Sequence, residues 1–520
     1  MKKYGRLTAC CLTFILCQSL CAQRVNTPLF VEDYTWDLDR FIDLDSSSLN
    51  LHYTIKESSE RNFQVLNPVT KLNFNTEYPV GYNDGAVWRG RGFNGELHFG
   101  VSGTIGMLEY TFQPVAYFAQ NRSYVLHEQI GTAHPMNYQF NRYDNIFFYI
   151  DWVQRYGSTS YQSIHSGQSE IKLSKFGFQI AFGTQNYKVG PASMFPIILS
   201  NNGPGMPKLN IGTDGPQEIK LGKFKPGKLE FNVIYGRMYE SDYFDNIADN
   251  NKRFFSGYFL GYQPSFVKNL TIGFNKVQYK QKRYQDSMDW LAVFYSGDEP
   301  TQIINGDTLR SENDFFDLMA SVSMEWRFPS VGFRAYAEYA LNDKNGSRIR
   351  YMVEPEHSRA YLVGFQKLFE MDKVNFLLAY EHINLSRNHT YMWRAEPTYY
   401  THGFNRQGYT NNGQVIGAGI GPGANADQLD LKFTIPNSGL VFGAFGRRIE
   451  FNKDYFLTNE PDFSKHDAEY TTGATVFWER NDLIYGFEGS YSYDHNRYFI
   501  QKNDVDNFYF GLSIQYKVLP

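Results

Sequence analysis

Alternation of apolar and polar residues with a period of two recurs many times along the chain and restricts the folds available to it. Clear cases are LHFGVS at 97–102, FRAYAEY at 333–339 and FGLSIQYKV at 510–518. This period predicts β-strands with one apolar and one polar face. A soluble sandwich would bury the apolar face, whereas a membrane barrel turns that face toward lipid and lines its lumen with the polar one. Both arrangements are compatible with the alternation alone.

The N-terminus predicts export from the cytoplasm. Three basic residues precede the apolar stretch 7–20, and Ala22 supplies a small residue for cleavage, so residues 1–22 are predicted to be a signal peptide. All four cysteines lie within this segment, which leaves the exported chain without disulfides or cysteine metal sites. Cleavage removes three of the 50 basic residues and no acidic one, leaving 47 against 54 and a net charge of −7. That balance argues against nucleic acid as a partner.

Composition favours the membrane barrel. Aromatic residues make up 17% of the chain, and after the signal peptide no apolar run approaches the roughly 18 residues that a membrane-spanning helix needs. Aromatics gather near predicted strand ends, as at Tyr235, Tyr239 and Tyr243, where an interfacial girdle would lie. The length suits about 16 to 20 antiparallel strands. We predict an all-β fold, a single outer-membrane-type barrel at 76–520 after a periplasmic segment or cap at 23–75; a soluble multidomain β protein is the alternative.

The segment from Tyr187 to Thr213, YKVGPASMFPIILSNNGPGMPKLNIGT, differs from the strands around it. It combines four prolines, which cannot donate to a sheet ladder, with the apolar run FPIIL at 195–199. A loop this apolar must be buried against something. It is predicted to be either a structural loop packed into the protein or, folded inward, a plug that occludes the lumen. The residues of this predicted plug motif are Gly190, Pro191, Ser200, Asn201, Asn202, Pro204, Gly205 and Pro207.

Sequence patterns of common catalytic sites, such as HExxH and GxSxG, do not occur in the chain. The eleven histidines are scattered, so we predict no metal site, no cofactor and no enzymatic activity. The glycine series at 417–423 superficially resembles a nucleotide fingerprint, but no strand–helix unit surrounds it. A binding function is therefore the better prediction.

Two segments have the composition of sugar sites, which combine an aromatic platform with hydrogen-bonding side chains. The first is NDGAVWRGR at 83–91, and the second runs from YMWR at 391–394 to YYTH at 399–402. Their arginines suit an acidic polysaccharide in particular. Because tryptophan and tyrosine also anchor barrels at the membrane surface, an interfacial girdle is the alternative. The candidate carbohydrate-binding residues are Trp88, Arg89, Arg91, Trp393, Arg394, Tyr400 and His402.

The chain resembles the Wzi family of outer-membrane capsule assembly proteins through four motifs in the family's order. NDGAVWRGRGFN at 83–94 is similar to the first motif, and RYG at 155–157 with GQS at 167–169 follows at the expected spacing. The segment 190–213 is similar to the family's GP…LSNNAPGFP…GT pattern. The segment 399–422 is similar to its late HG…GYT…G…G pattern.

This resemblance implies an outer-membrane barrel of about eighteen strands in a Gram-negative-type bacterium. It also implies a lectin-like protein that binds and organises capsular polysaccharide at the cell surface. The expected partners are capsular polysaccharide, outer-membrane lipid and other capsule export proteins, and the protein is expected to be a monomer. A porin-like conduit for saccharides or other small solutes is the alternative.

Three features depart from the family pattern. Residues 24–75 are too short for the helical bundle that precedes the barrel in enterobacterial members. Gly203 and Met206 stand where Ala and Phe are commoner, and the chain ends on Pro520, where many outer-membrane proteins end on an aromatic residue. These departures affect the expected periplasmic module and leave the expected barrel unchanged.

Overall fold

The computed structural model of the 520-residue chain describes residues 48–53, 62–127, 150–245, 247–285, 287–294, 302–304, 307–309, 316–342, 352–394, 396–435, 438–459 and 462–518. The predicted signal peptide and residues 23–47 of the predicted periplasmic segment lie outside the described residues. In the part of the chain that is described, no helix is long and apolar enough to cross a bilayer.

Eighteen antiparallel strands close into one barrel, as the sequence predicted. The first strand meets the last, with Leu72 opposite Leu512 and Phe74 opposite Phe510. We number the barrel strands in chain order and give those interrupted by a short break as two ranges. They are β1 Gln64–Asn75, β2 Gly92–Ile105, β3 Leu108–Phe112 and Val115–Ala119, β4 Tyr161–His165 and Glu170–Lys175, β5 Phe178–Gly183, β6 Lys208–Thr213 and Gln217–Leu221, β7 Phe224–Tyr239, β8 Lys252–Pro264, β9 Leu270–Gln281, β10 Asp317–Phe328, β11 Phe333–Asn342, β12 Arg359–Glu370, β13 Asn375–Asn384, β14 Asn425–Ile435, β15 Leu440–Glu450, β16 Ala468–Arg480, β17 Leu483–His495 and β18 Val505–Tyr516.

Among the described residues, the remaining elements are short and lie outside the barrel sheet. The α-helices are Asp289–Ala292 and Lys453–Asn459. The 3-10 helices are Ala248–Asn250, Lys282–Tyr284, Pro329–Val331, His389–Met392, Phe463–Lys465 and Arg497–Phe499. Three two-stranded pairs join Leu51–Tyr53 with Tyr187–Val189, Gln302–Ile304 with Asp307–Leu309, and Thr410–Asn411 with Gln414–Val415.

The barrel begins earlier than the sequence predicted. Strand β1, Gln64–Asn75, falls within the predicted periplasmic segment 23–75 and pairs with both β2 and β18. The pairing register shifts between Leu66 and Val69, where Pro68 cannot donate to the ladder. This irregularity interrupts the period-two pattern and hides the strand in the sequence.

The two faces of the wall differ in polarity. In β2, Phe93, Leu97 and Phe99 are exposed on the outer face, whereas Glu96 and His98 between them are buried on the lumenal side. Apolar side chains outside and polar ones inside are the pattern of a membrane barrel. The soluble multidomain alternative is therefore wrong.

The two ends of the barrel differ in the length of their connections. In outer-membrane barrels the short turns are periplasmic and the longer loops extracellular. The short connections lie at the end where the chain enters β1 and leaves β18, so that end is periplasmic. The short connections are 106–107, 176–177, 222–223, 265–269, 329–332, 371–374, 436–439 and 481–482, and the extracellular ones are 76–91, 120–160, 184–207, 240–251, 282–316, 343–358, 385–424, 451–467 and 496–504.

Candidate functional site

The extracellular connection 184–207 folds into the barrel. Phe195, Ile197 and Ile198 are buried and belong to one apolar cluster with lumen-facing wall residues such as Phe259 and Tyr336. The lumen thus supplies the burial that an apolar, proline-rich loop needs. Inward-folded loops that plug the barrel were predicted from this segment, and the structure shows them.

The plug loop is interlocked with the extracellular connection 385–424. Ser200 Oγ donates to the main-chain oxygen of Gly417 at 2.6 Å, and Asn202 Nδ2 donates to that of Val415 at 2.9 Å. In the opposite direction, the Tyr400 hydroxyl donates to the main-chain oxygen of Ile197 at 2.7 Å. Buried polar groups of both loops are satisfied by each other, which fixes their relative position.

The connection 76–91 joins the same structure. Gly85 N donates to the main-chain oxygen of Asn201 at 2.6 Å, and Asn201 Nδ2 donates to that of Asn83 at 2.9 Å. Asn83 and Gly85 take φ angles of 58° and 61°, a left-handed region that favours asparagine and glycine. Gln168 Nε2 donates to Asn201 Oδ1 at 3.2 Å. The motifs that carry the family resemblance therefore meet at one place in the lumen.

Two close approaches explain glycines in these motifs. A Cβ at Gly419 would lie 2.1 Å from Asn202 Oδ1, and one at Gly205 would lie 1.7 Å from the main-chain oxygen of Thr184. Gly190 has a φ of 81°, which larger residues rarely adopt. The glycine series at 417–423 thus allows tight loop packing, which accounts for it without a nucleotide.

The prolines of the motif stabilise the plug in two ways: their carbonyl groups accept hydrogen bonds, and their rings are suited to burial. The Pro204 main-chain oxygen accepts from Asn411 Nδ2 at 2.8 Å, and that of Pro207 accepts from Arg237 N at 3.1 Å. Pro191 is buried. A proline has no N–H to leave unsatisfied in the apolar lumen, which suits it to these positions.

A glutamate of the wall holds the turn of the plug. The Glu381 carboxylate accepts from the main-chain N–H groups of Ser193, Met194 and Phe195 at 2.7, 3.1 and 2.6 Å. It also accepts from the Tyr336 hydroxyl at 2.8 Å. Hydrogen bonds to an ionised acceptor are stronger than neutral ones. Glu381 is therefore the main polar anchor between wall and plug.

Arg334 supports the same turn. Its guanidinium is fully buried, and it donates to Ser193 Oγ, Glu325 Oε1 and Gln366 Oε1, each at 2.7 Å. Gln366 Nε2 donates to Ser193 Oγ at 3.0 Å. Sequence reasoning missed both anchors because polar residues are expected at every second position of a lumen-facing strand.

The N-terminal residues 48–53 also lie in the lumen. Leu51–Tyr53 pairs with Tyr187–Val189 of the plug, and Ser48 Oγ donates to Glu230 Oε1 of β7 at 2.6 Å. Leu51 is buried in the same apolar cluster as the plug. These residues were predicted to be part of a periplasmic segment, and the structure places them inside the barrel as a further layer of the plug.

The first predicted carbohydrate segment is mostly enclosed. Trp88 is only 9% exposed, and its ring centroid lies 5.0 Å from that of Tyr156 and 6.4 Å from that of Tyr161. An aromatic platform for a sugar needs an open face. Trp88 offers none here and instead packs the upper lumen.

The two arginines of this segment differ. Arg89 is mostly buried, with Nη2 2.6 Å from Asp84 Oδ1, and its Nη1 donates to the Tyr509 hydroxyl at 3.1 Å. Burial raises the pKa of the Asp84 carboxyl to about 6, against the opposing attraction of Arg89. Arg91 is partly exposed, with Nη2 3.0 Å from Glu77 Oε2.

The second predicted carbohydrate segment is split between the interior and the surface. Tyr400 is fully buried and His402 is buried as well, so neither ring offers a face to a ligand. Trp393 is 69% exposed, and Arg394 beside it is partly exposed, with Nη1 3.1 Å from Glu354 Oε2. Of the seven candidates, Trp393, Arg394 and Arg91 reach the outer surface.

Trp393 stands on a supported turn. The Asn388 side chain caps the preceding 3-10 helix by accepting from His389 N at 2.7 Å. The Arg387 guanidinium lies 4.5 Å from the Tyr391 ring centroid and donates to the Asp454 main-chain oxygen at 3.1 Å. The turn is thereby tied to a neighbouring extracellular connection, which limits the movement of the exposed indole.

A cavity of about 370 Å³ lies between the plug and the wall. Tyr82, Asn83 and Met194 of the plug line one side. Apolar residues line much of the rest, together with charged side chains of both signs. The charged side chains are Lys71, Asp84, Arg89, Lys188, Asp430, Lys432, Arg447 and Glu488. Among the described residues, no group of three His, Cys, Asp or Glu side chains is placed to hold a metal ion.

These features define a class. An antiparallel barrel of eighteen strands with an apolar outer face, short turns at one end and loops folded into its lumen is a plugged outer-membrane barrel. The sequence model of the family described as Capsule assembly protein Wzi matches residues 72–441. The chain belongs to the Wzi family of capsule assembly proteins, which confirms the resemblance.

One solved structure has the same fold. It is described as Wzi, an outer membrane protein involved in group 1 capsule assembly in Escherichia coli and a carbohydrate-binding β-barrel; it shares 13% identity with a TM-score of 0.62, over 95% of this chain and 99% of that chain. OccAB2 of Acinetobacter baumannii shares 12% identity, with a TM-score of 0.40 over 88% of this chain and 99% of that one. The outer membrane protein OprD of Pseudomonas aeruginosa shares 10%, with a TM-score of 0.39 over 91% and 96%. The first of these structures supports the fold. The other two are too dissimilar in structure to support any conclusion about this chain. No curated protein gives a significant match.

Proposed function

We propose that this protein binds capsular polysaccharide through its extracellular loops and so holds the capsule at the cell surface. Membership of the Wzi family supports the link to capsule assembly. The similar E. coli structure is described as a carbohydrate-binding barrel, and the proposal extends that property to this chain. Binding alone is sufficient for the role, so we assign no catalytic step and no cofactor.

The observation that carries the proposal is the exposed pair Trp393 and Arg394 on the extracellular rim. The Trp393 indole is an open, flat apolar face, which suits the apolar face of a sugar ring. Arg394 lies next to it and suits the carboxylates or other acidic groups of a charged polysaccharide. Because the supporting turn is tied down by Arg387 and Asp454, less freedom is lost on binding.

Capsule retention in a deletion strain tests the proposal. We expect total polysaccharide to stay unchanged while a large part moves from the cells to the medium, and complementation to reverse the shift. Purified, folded protein should also bind the host's own capsular polysaccharide without a second protein. Failure of that binding, with the barrel shown to be folded, would contradict the proposal.

A solute conduit is the alternative, and the cavity between plug and wall is the observation that favours it. The interlocked loops argue for a closed lumen, because opening it would expose the apolar cluster around Phe195 and Ile197. We therefore expect no steady conductance in planar bilayers. Conductance by the intact protein, together with normal capsule retention in the deletion strain, would support the conduit.

A further inference from the structure

Part of the extracellular connection between β9 and β10 lies against the outer wall of the barrel. Its helix Asp289–Ala292 carries Trp290, whose ring centroid is 4.7 Å from that of Tyr235 in β7 and 5.4 Å from that of Phe254 in β8. The Tyr235 hydroxyl donates to the Trp290 main-chain oxygen at 2.6 Å. Tyr235 and Phe254 alternate with residues of the lumenal cluster, so they point outward.

Two lysines on the outer face of β9 hold this helix. Lys280 Nζ lies 2.7 Å from Asp289 Oδ1, and Lys276 Nζ donates to the main-chain oxygen of Val293, just after the helix, at 3.0 Å. Both lysines are buried although they belong to the lipid-facing side of the strand. A charged side chain facing lipid is unfavourable, so covering and pairing these lysines stabilises the wall.

The side of the helix that faces away from the lysines is apolar. Met288, Trp290, Leu291 and Phe294 are each about half exposed. Lower on the same wall, the lipid-facing Phe274 of β9 is similarly exposed. The helix therefore continues the apolar outer face of the barrel toward the extracellular end.

Charged residues are few within this segment and lie mainly in the turn before it. In SMDWLAVF at 287–294, Asp289 is the one charged residue, and Lys280 neutralises it. The preceding turn carries the exposed Lys282 and Arg283, which suit anionic headgroups. Basic residues beside Trp, Leu and Phe are typical of segments that lie in a membrane interface.

We propose that residues 287–294 form an interfacial flap that binds the acyl-chain region of the outer leaflet. The flap covers two wall lysines on its inner side and contacts lipid with its outer side. Its apolar side chains thus have a different role from the exposed Trp393, which faces water and is proposed to bind polysaccharide. The inference is independent of the proposed glycan binding, because it concerns contact with lipid and not with the aqueous exterior.

Nitroxide labels at single cysteines test the flap. All four cysteines of the sequence lie in residues 1–22, the predicted signal peptide, so single-cysteine variants of the exported chain can be labelled selectively. The probe position is Leu291→Cys, with Phe274→Cys as the lipid-facing control and Trp393→Cys as the water-facing control. The protein is reconstituted in phospholipid vesicles, and access of oxygen and of a polar nickel chelate is compared at each label.

We expect the label at residue 291 to match the lipid-facing control, with high oxygen access and low chelate access. A match to the Trp393→Cys control would overturn the proposal, because the flap would then face water. Low access to both reagents would also overturn it, in favour of contact with a second copy. Since Leu291 is half exposed, its substitution should not prevent folding. Met288→Cys on the same surface is a second probe.

Lys276 and Lys280, which hold the helix, allow a second test. Asp289→Ala leaves Lys280 without its carboxylate, so the label at residue 291 should become more mobile and its accessibility should change. Asp242→Ala, an exposed position in the neighbouring extracellular connection, is the matched control and should leave the spectrum unchanged. An unchanged spectrum in Asp289→Ala would show that the helix is held by something other than the lysines.

Discussion

Two segments of similar composition occupy opposite places in this molecule. At 83–91, Trp88 is 9% exposed and closes the upper lumen, whereas at 391–394 Trp393 is 69% exposed on the extracellular rim. Each tryptophan is followed directly by an arginine. The difference lies in the surrounding backbone, because left-handed Asn83 and Gly85 turn the first segment into the plug. Composition therefore identifies polar–aromatic segments, and loop geometry decides which of them meets a ligand.

The comparison predicts that the inner tryptophan supports stability and the outer one supports binding. The largest effect on stability is expected for Trp88→Ala, which should lower the free energy of unfolding by about 3–5 kcal/mol because it leaves a cavity among Tyr156 and Tyr161. Denaturant unfolding of the reconstituted barrel measures it. Polysaccharide affinity of the folded fraction should not change, and a loss of affinity there would break the comparison.

The next largest effect concerns the anchor of the plug. Glu381→Ala leaves three main-chain N–H groups of the plug turn without their acceptor, and we expect a loss of about 3 kcal/mol or more. The plug should then open intermittently, so ion conductance in planar bilayers should appear where the intact protein shows none. Glu218→Ala, an exposed carboxylate near the periplasmic end, is the control. If the Glu381→Ala variant is as stable as the intact protein and shows no ion conductance, the apolar cluster alone holds the plug.

Much of the fold could be predicted because its signals are local. Period-two alternation and composition predict a barrel whatever its loops do, and the apolar run at 195–199 requires burial somewhere. Strand β1 was not predicted because Pro68 interrupts its pattern. Period-two alternation identifies a strand only where no proline or register shift interrupts it.

The candidate site was less predictable because it depends on contacts between distant residues. Nothing beside Tyr400 in the sequence indicates that its hydroxyl bonds to Ile197, which lies some two hundred positions earlier in the chain. Glu381 and Arg334 likewise resemble ordinary lumenal residues until their partner in the plug is known. The family motifs could be recognised, yet their shared purpose as plug contacts needed the structure.

An effect on binding alone is expected at the outer tryptophan. Trp393→Ala should weaken polysaccharide binding by about tenfold, which corresponds to about 1.4 kcal/mol. Because the residue is exposed, the unfolding free energy should change by no more than about 0.5 kcal/mol. Phe266→Ala, an exposed aromatic in a periplasmic turn, is the matched control. Unaltered binding by Trp393→Ala would move the glycan site away from this rim.

A change of pH should distinguish the buried Glu240 from the exposed Asp242, both of which lie in connection 240–251. Burial raises the pKa of Glu240, whose Oε2 accepts from Gln407 Nε2 at 2.6 Å, to about 8. A raised carboxyl pKa means that this group's contribution is greatest at low pH and is lost as pH rises toward 8. The melting temperature should therefore fall less between pH 5 and pH 8.5 in Glu240→Gln than in the intact protein. Asp242→Asn, two residues away and exposed, should keep the full dependence.

The smallest effect should come from Arg91, the third candidate of the inner segment and the one that is partly exposed. Its ion pair with Glu77 is screened by solvent, so Arg91→Ala should cost less than about 1 kcal/mol of unfolding free energy. Arg89→Ala, the matched variant two residues earlier, should cost more because it leaves the buried Asp84 unpaired. Equilibrium unfolding and polysaccharide binding are measured for both variants. Because the segment belongs to the plug, neither variant should alter binding by folded protein, and a selective loss in Arg91→Ala would extend the glycan-facing rim to the edge of the plug.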